Sequence, residues 1–242
     1  MNSSVKQLTG DERIKRHEKL VSNLLQDRDS RGYYAMYSII HPRIQIPIKQ
    51  IRDTFLNIGR TYTESLTYAD APITHPDGYS RIYKCRDEKR NLVNSQITTC
   101  YFDGLIVTDG YIDLFCEGND GLNPNWLFYR IQRHLQLSGE ILTGLTDDFG
   151  FILSFQHLEK FKWEIFRSHR VDARLPYSGY YHDIIHYINM SDIHGRDKWN
   201  IKMDIVEKIM IDVARIFGMD TLPQEYWNDK GELDYSHGIP GR

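Results

Sequence analysis

The chain has 242 residues, 40% of them apolar, with 16 Tyr, 10 Phe and 4 Trp, a composition that supports a folded core and excludes an intrinsically disordered chain. Lys and Arg number 30 against 33 Asp and Glu, and the formal charge of −3 supplies no global attraction for a polyanion, although a local basic face is compatible with it. There is no run of about 18 apolar residues, and the start, MNSSVKQLTGDERIKRH, lacks the apolar centre of a signal peptide, so no membrane association and a cytoplasmic address are expected.

In chain order, Thr9-Gly10-Asp11-Glu12 predicts a capped helix from Asp11 to Leu25, with Ile14, Leu20, Val21, Leu24 and Leu25 on one stripe. Its basic residues Arg13, Lys15, Arg16 and Lys19 stand among acids and read as a solvated face. Tyr33 to Ile40 (YYAMYSII) predicts a buried strand ended by His41-Pro42 that must pair with something distant in sequence. Pro47 opens a helix to about Ile58, and Arg60 to Asp77 reads as a long irregular connection, the best candidate for a lid.

Tyr79 to Arg86 predicts the first strand of a three-stranded antiparallel meander. The other two strands come from Ile97 to Gly118, whose turn is expected at Asp109-Gly110, with a bulge at Asp103-Gly104. Cys85, Cys100 and Cys116 all fall in these strands, where they read as small buried hydrophobes; no Cys-x-x-Cys spacing supports zinc. A long helix from Asn123 to Leu145 follows, directing Leu127, Ile131, Leu135, Ser138, Ile141, Leu142 and Leu145 to the sheet. Strands are expected at Phe149 to Leu158 and Tyr180 to Ile188, and a final helix from Asp197 to Phe217.

These elements predict an α+β fold with a mostly antiparallel sheet and long helices packed on one face. The organisation expected is an N-terminal helical extension over 1–32, a single domain over 33–217 and a polar tail over 218–242.

Chemistry is harder to find. His182 and His186 have the i, i+4 spacing of a metal pair on a helix, but the residue beside the first is Asp183, where a zincin places Glu, and the segment reads as a strand. Asp103, Asp109, Asp113 and Glu117 lie in the hairpin, yet Ile97 to Gly118 contains no Lys or Arg to complete a two-metal nuclease, so Asp103 and Asp109 read as turn-formers. Gly-x-Ser-x-Gly, Walker and dinucleotide-binding motifs are all absent. Arg81, Lys84 and Arg86 interleave with Tyr79 and Tyr83, and Arg167, His169, Arg170 and Arg174 form a second positive patch; either suits an acidic partner, and the first also suits a nucleic-acid strand.

The strand ending in Ile39-Ile40-His41-Pro42, the Pro-Asp-Gly-Tyr at Pro76 to Tyr79 and the run Thr108-Asp109-Gly110-Tyr111-Ile112-Asp113, followed by a long helix and a returning strand, resemble the carboxy-terminal α+β module of bacterial Schlafen-AlbA-type proteins. The DNA-binding module of such proteins is not recognisable ahead of Tyr33, so no DNA contact is carried onto any residue. The resemblance implies a sensor or docking domain of a bacterial regulatory or defence protein. The leading expectation is a non-enzymatic recognition or assembly domain without a cofactor, its partner sites at Tyr79, Arg81, Tyr83, Arg167, Arg170 and Arg174 and its partner a protein or a second copy. The alternatives are a metal-dependent hydrolase built on His182, Asp183 and His186, and a structural or viral interaction subunit.

Overall fold

The computed structural model of the chain describes residues 8, 10–25, 31–61, 68–69, 72–86, 92–112, 121–122, 124–163, 181–193 and 203–222. Helix α1 (Glu12–Ser22) leads into strand β1 (Tyr33–Ile39), helix α2 (Ile48–Thr61) and strands β2 (Tyr68–Ala69), β3 (Ile73–His75), β4 (Gly78–Arg86), β5 (Leu92–Tyr101) and β6 (Leu105–Tyr111). After β7 (Gly121–Leu122) come α3 (Pro124–Leu142), β8 (Asp148–Gln156), β9 (Lys162–Trp163), β10 (Tyr181–Asn189), α4 (Met190–Ile193) and α5 (Met203–Ile216).

Eight strands form one antiparallel sheet in the order β10-β8-β1-β6-β5-β4-β2, with β3 also paired to β4. The fold is α+β, as the alternation of strand and helix patterns predicts. Strand β1 meets its distant partners on both sides: Tyr33 to Ile39 pair with Tyr111 to Leu105 of β6 and with Gln156 to Gly150 of β8. All seven of its residues are buried, as a continuous run of apolar and aromatic side chains requires of a strand covered on both faces.

One face carries α2, α3, α4 and α5. Tyr34, Met36, Phe151, Leu153 and Phe155 pack there against Leu127, Ile131 and Leu135 of α3 and Val206, Ile209 and Val213 of α5. The opposite face is covered by α1, whose Ile14 and Val21, with Leu8 and Leu25, close over Tyr33, Tyr37, Ile97, Leu105 and Val107. Each such side chain contributes roughly 1.5–3 kcal/mol on leaving water. Leu222, in the expected C-terminal tail, is buried with the helical-face cluster.

The basic residues of α1 are not a solvated face. Arg13 is buried: its Nε and Nη2 donate to the two carboxylate oxygens of Asp11 at 2.9 and 2.7 Å, Nη1 donates to the Asp103 carbonyl at 2.8 Å, and Nη2 donates to the Ile40 carbonyl at 3.1 Å. One planar guanidinium thereby joins the start of α1, the end of β1 and the β5–β6 turn. Arg16 pairs with Asp103 at 3.0 Å and lies 4.2 Å above the Tyr101 ring centroid. Asp11 is the N-cap, its carboxylate accepting from the Arg13 backbone N–H at 2.9 Å.

The turn falls at the other Asp-Gly pair. The hairpin turns at Asp103-Gly104, where Gly104 has φ +88° and donates to the Tyr101 carbonyl at 3.3 Å. Asp109 and Gly110 are interior residues of β6, opposite Ile97 and Gln96 of β5. Tertiary contacts decide this. The Asp109 carboxylate is fully buried and bonded to His17 Nε2 of α1, whose Nδ1 is hydrogen-bonded to the Tyr101 hydroxyl at 3.0 Å. At Gly110 a Cβ would come within 2.7 Å of the Ser95 carbonyl oxygen and 3.2 Å of the Tyr34 ring, so only glycine lets the ring cross β6. The long connection before β4 also contains structure, since β2 and β3 both pair with β4; residues 62–67 and 70–71 of that lid candidate lie outside the described residues.

The buried His17–Asp109 contact ties α1 to the sheet, and its loss has a signed cost. His17→Leu leaves a buried carboxylate without its partner and is expected to destabilise the fold by ~3–5 kcal/mol, whereas His17→Leu combined with Asp109→Val is expected to recover much of that. Urea denaturation of the two variants at neutral pH measures the difference.

Candidate functional site

Over β6, β5 and β4 the helical face of the sheet carries a run of polar side chains. Inward-facing positions there are Thr108 on β6, Gln96 and Thr98 on β5, and Arg81 and Tyr83 on β4. A bulge between Tyr83 and Lys84 leaves Ser95 unpaired, its hydroxyl donating to the Tyr83 carbonyl at 3.0 Å, and shifts the register of the facing strand by one residue. Helices α2 and α3 roof this polar half and leave a cavity open to solvent, lined also by Phe55, Tyr129, Arg130, Arg133, His134 and Leu137.

One imidazole holds the roof to the floor. His134, 2% exposed, sits on the sheet-facing stripe of α3, where its Nδ1 is hydrogen-bonded to Thr108 Oγ1 and its Nε2 to Ser38 Oγ, both at 3.0 Å. Ser38 is also bonded to Ser138 at 2.8 Å, and Thr108 to Thr98 at 3.4 Å, so one line of hydroxyls runs from α3 across β1 and β6 to β5. Burial pushes the His134 pKa down to about 3, so the ring is neutral and offers one donor and one acceptor, both of which its two hydroxyl neighbours can meet.

The rim is cationic. Arg81 Nη1 donates to the Phe55 carbonyl at 3.1 Å, which fixes its head beside α2. Arg133 lies over the Tyr129 ring, 4.6 Å from its centroid, and donates to Gln136 Oε1 at 3.2 Å. Arg130, one turn before His134, adds a third guanidinium, and no acidic side chain is among the described residues lining the cavity. Deeper down, the Tyr34 hydroxyl donates to Gln96 Oε1 at 3.3 Å, which leaves the amide nitrogen as a donor for the cavity. Guanidinium groups around a concave site bind phosphate or carboxylate with paired hydrogen bonds, which a point charge does not supply.

Of the residues expected from sequence to bind a partner, Arg81 and Tyr83 line this cavity. Tyr79 shares their strand face but packs edge-on against Phe102, with ring centroids 6.0 Å apart. Arg167, Arg170 and Arg174 lie outside the described residues. His182 and His186 share the helical face of β10, opposite Phe155 and Phe151, while Asp183 pairs with Ser154 and points to the other face. The carboxylate that meets His186 is Asp212 of α5, whose Oδ2 stands 3.0 Å from Nε2. Among the described residues no group of three or more His, Cys, Asp or Glu is placed to hold a metal ion.

The α3 contribution escaped sequence reading, although a signal for it exists. Arg130, Arg133 with His134, and Leu137 recur at helical spacing beside the apolar stripe, and Gln96, Thr98 and Cys100 alternate on β5 in the inward phase. No family model, no curated protein and no solved structure matches the chain. No helix among the described residues is long and apolar enough to cross a membrane.

Acid should weaken this roof-to-floor connection. Between about pH 6.5, the ordinary histidine value, and about 3, the unfolded chain binds one more proton at His134 than the folded chain does. The contribution is fully present above about pH 6.5 and falls as pH drops, at up to ~1.4 kcal/mol per unit. Burial moves His186, His41 and His75 in the same direction. His134→Gln is expected to remove about one proton from the slope of unfolding free energy against pH, read by urea denaturation from pH 7 to pH 4.

Proposed function

We propose that this chain is a recognition domain that binds an anionic small ligand between α2, α3 and the β4–β6 half of the sheet, without catalysing a reaction on it. The observation that carries the reading is the convergence of three arginines, Arg81, Arg130 and Arg133, from β4 and α3 on one cavity. Against catalysis stands the chemistry of the floor. His134 has both ring nitrogens engaged by hydroxyls and is held neutral by burial, so it has no free nitrogen for proton transfer.

The resemblance to the module of bacterial Schlafen-AlbA-type proteins supports a place for such a domain as the sensor of a regulatory or defence protein, with a protein partner reading out the bound state. The exposed side chain of Tyr187 on edge strand β10, away from the cavity, suits that contact.

Calorimetric titration with inorganic pyrophosphate tests the reading. Binding is expected, weakening as salt is raised. Arg130→Ala and Arg133→Ala should each reduce affinity about tenfold or more, the loss of one charge-assisted contact. Lack of any heat or thermal stabilisation with pyrophosphate and other multivalent anions would sink it.

A further inference from the structure

The cavity has a chemical gradient from mouth to floor. Arg81, Tyr83, Tyr129, Arg130 and Arg133 are partly exposed, whereas Gln96, Thr98 and Thr108 are 5%, 6% and 5% exposed and carry no charge. A phosphate driven to that floor would lose its water without meeting a cation, since His134 is neutral there, so the anionic end of a ligand belongs at the mouth. What fills the interior must then be neutral, must offer both donors and acceptors to an amide and two hydroxyls, and must lie against the apolar walls of Phe55 and Leu137. A flat heteroaromatic ring meets all three demands, and the tyrosine rings at the mouth add π surface for it.

We infer that the ligand is a free nucleoside phosphate inserted base first, with Gln96, Thr98 and Thr108 reading the edge of the base and Arg81, Arg130 and Arg133 holding the phosphate. The assignment rests on the cavity being the anion site proposed above. A bare anion engages only the arginines, and a sugar phosphate leaves Phe55 and Leu137 facing a hydroxylated surface, so both are poorer fits than a nucleotide.

The experiment is a calorimetric titration of the full chain with the common ribonucleoside 5′-monophosphates, with ribose 5-phosphate and with inorganic pyrophosphate. At least one mononucleotide is expected to bind about tenfold or more tightly than both base-free probes. Thr98→Val, which removes a hydroxyl at nearly constant volume, should weaken that nucleotide several-fold and leave pyrophosphate unchanged, while Arg130→Ala should weaken both. Saturation-transfer difference spectra on the unmodified protein give a readout independent of any variant, with the strongest transfer expected at the base protons. Equal affinity for ribose 5-phosphate or pyrophosphate, or strongest transfer at the ribose, overturns the base-first assignment and leaves the anion site standing. Failure of every phosphate-bearing probe to bind removes the anion site as well.

Discussion

The position of α3 over the sheet depends on one neutral imidazole. His134 bonds to β6 through Thr108 and to β1 through Ser38, and the hydroxyl of Ser138, one turn later on the same helix, closes the line. Neutral imidazole has one N–H and one lone pair, so it donates to one hydroxyl and accepts from the other, and its burial against Phe151 favours the uncharged ring. Fixing that residue fixes its neighbours. Arg130, Arg133 and Leu137 stand within one turn of His134, and the bond that seats the helix also aims this flank at the polar half of the sheet.

Elements whose identity rests on repeating patterns were legible in the sequence. Strands β1, β4, β8 and β10, helices α2 and α3 and the end of α5 lie within a few residues of where apolar periodicity and Pro or Gly boundaries put them. The β5–β6 hairpin was legible too, but its turn was not. Asp103-Gly104 and Asp109-Gly110 have the same local preference for a turn, and nothing within a few residues of either ranks them. The choice is made by groups far away in sequence: His17 needs a buried carboxylate at position 109, and the Tyr34 ring needs a residue without Cβ at position 110. A long-range buried contact outvotes a local propensity, and in doing so moves the turn by six residues.

The candidate site divides along the same line. Arg81 and Tyr83 were visible because charged and aromatic residues alternate along β4, a pattern that announces a face. His134 and Thr108 were not, because a polar residue on an otherwise apolar stripe reads as a flaw in the core until its partners on other elements are known. The His182–His186 pair has the opposite history. Its spacing suggests a ligand set under a helical reading, but a strand's period of two sends Asp183 to the far face and leaves His186 to Asp212, contributed by a helix that starts well beyond it in sequence.

Arginines stand on both faces of the sheet. Under α1, Arg13 is matched to Asp11 and to two carbonyls, and Arg16 to Asp103, so charge there is consumed in joining segments of the chain. Across the sheet, Arg81, Arg130 and Arg133 border a cavity whose described lining supplies no carboxylate. The chain's overall charge of −3 does not cancel this local field, since in physiological salt charges more than about 8 Å apart are largely screened from one another. Net charge therefore bears on long-range steering of a polyanion, whereas capture of a small anion is decided within the cavity. A concave cluster of one sign, walled by low-dielectric aromatic and aliphatic groups, concentrates its field there, and such a cluster persists through folding only where the packing around it is strong enough to hold like charges together. In this chain that packing is the α3–sheet contact seated by His134.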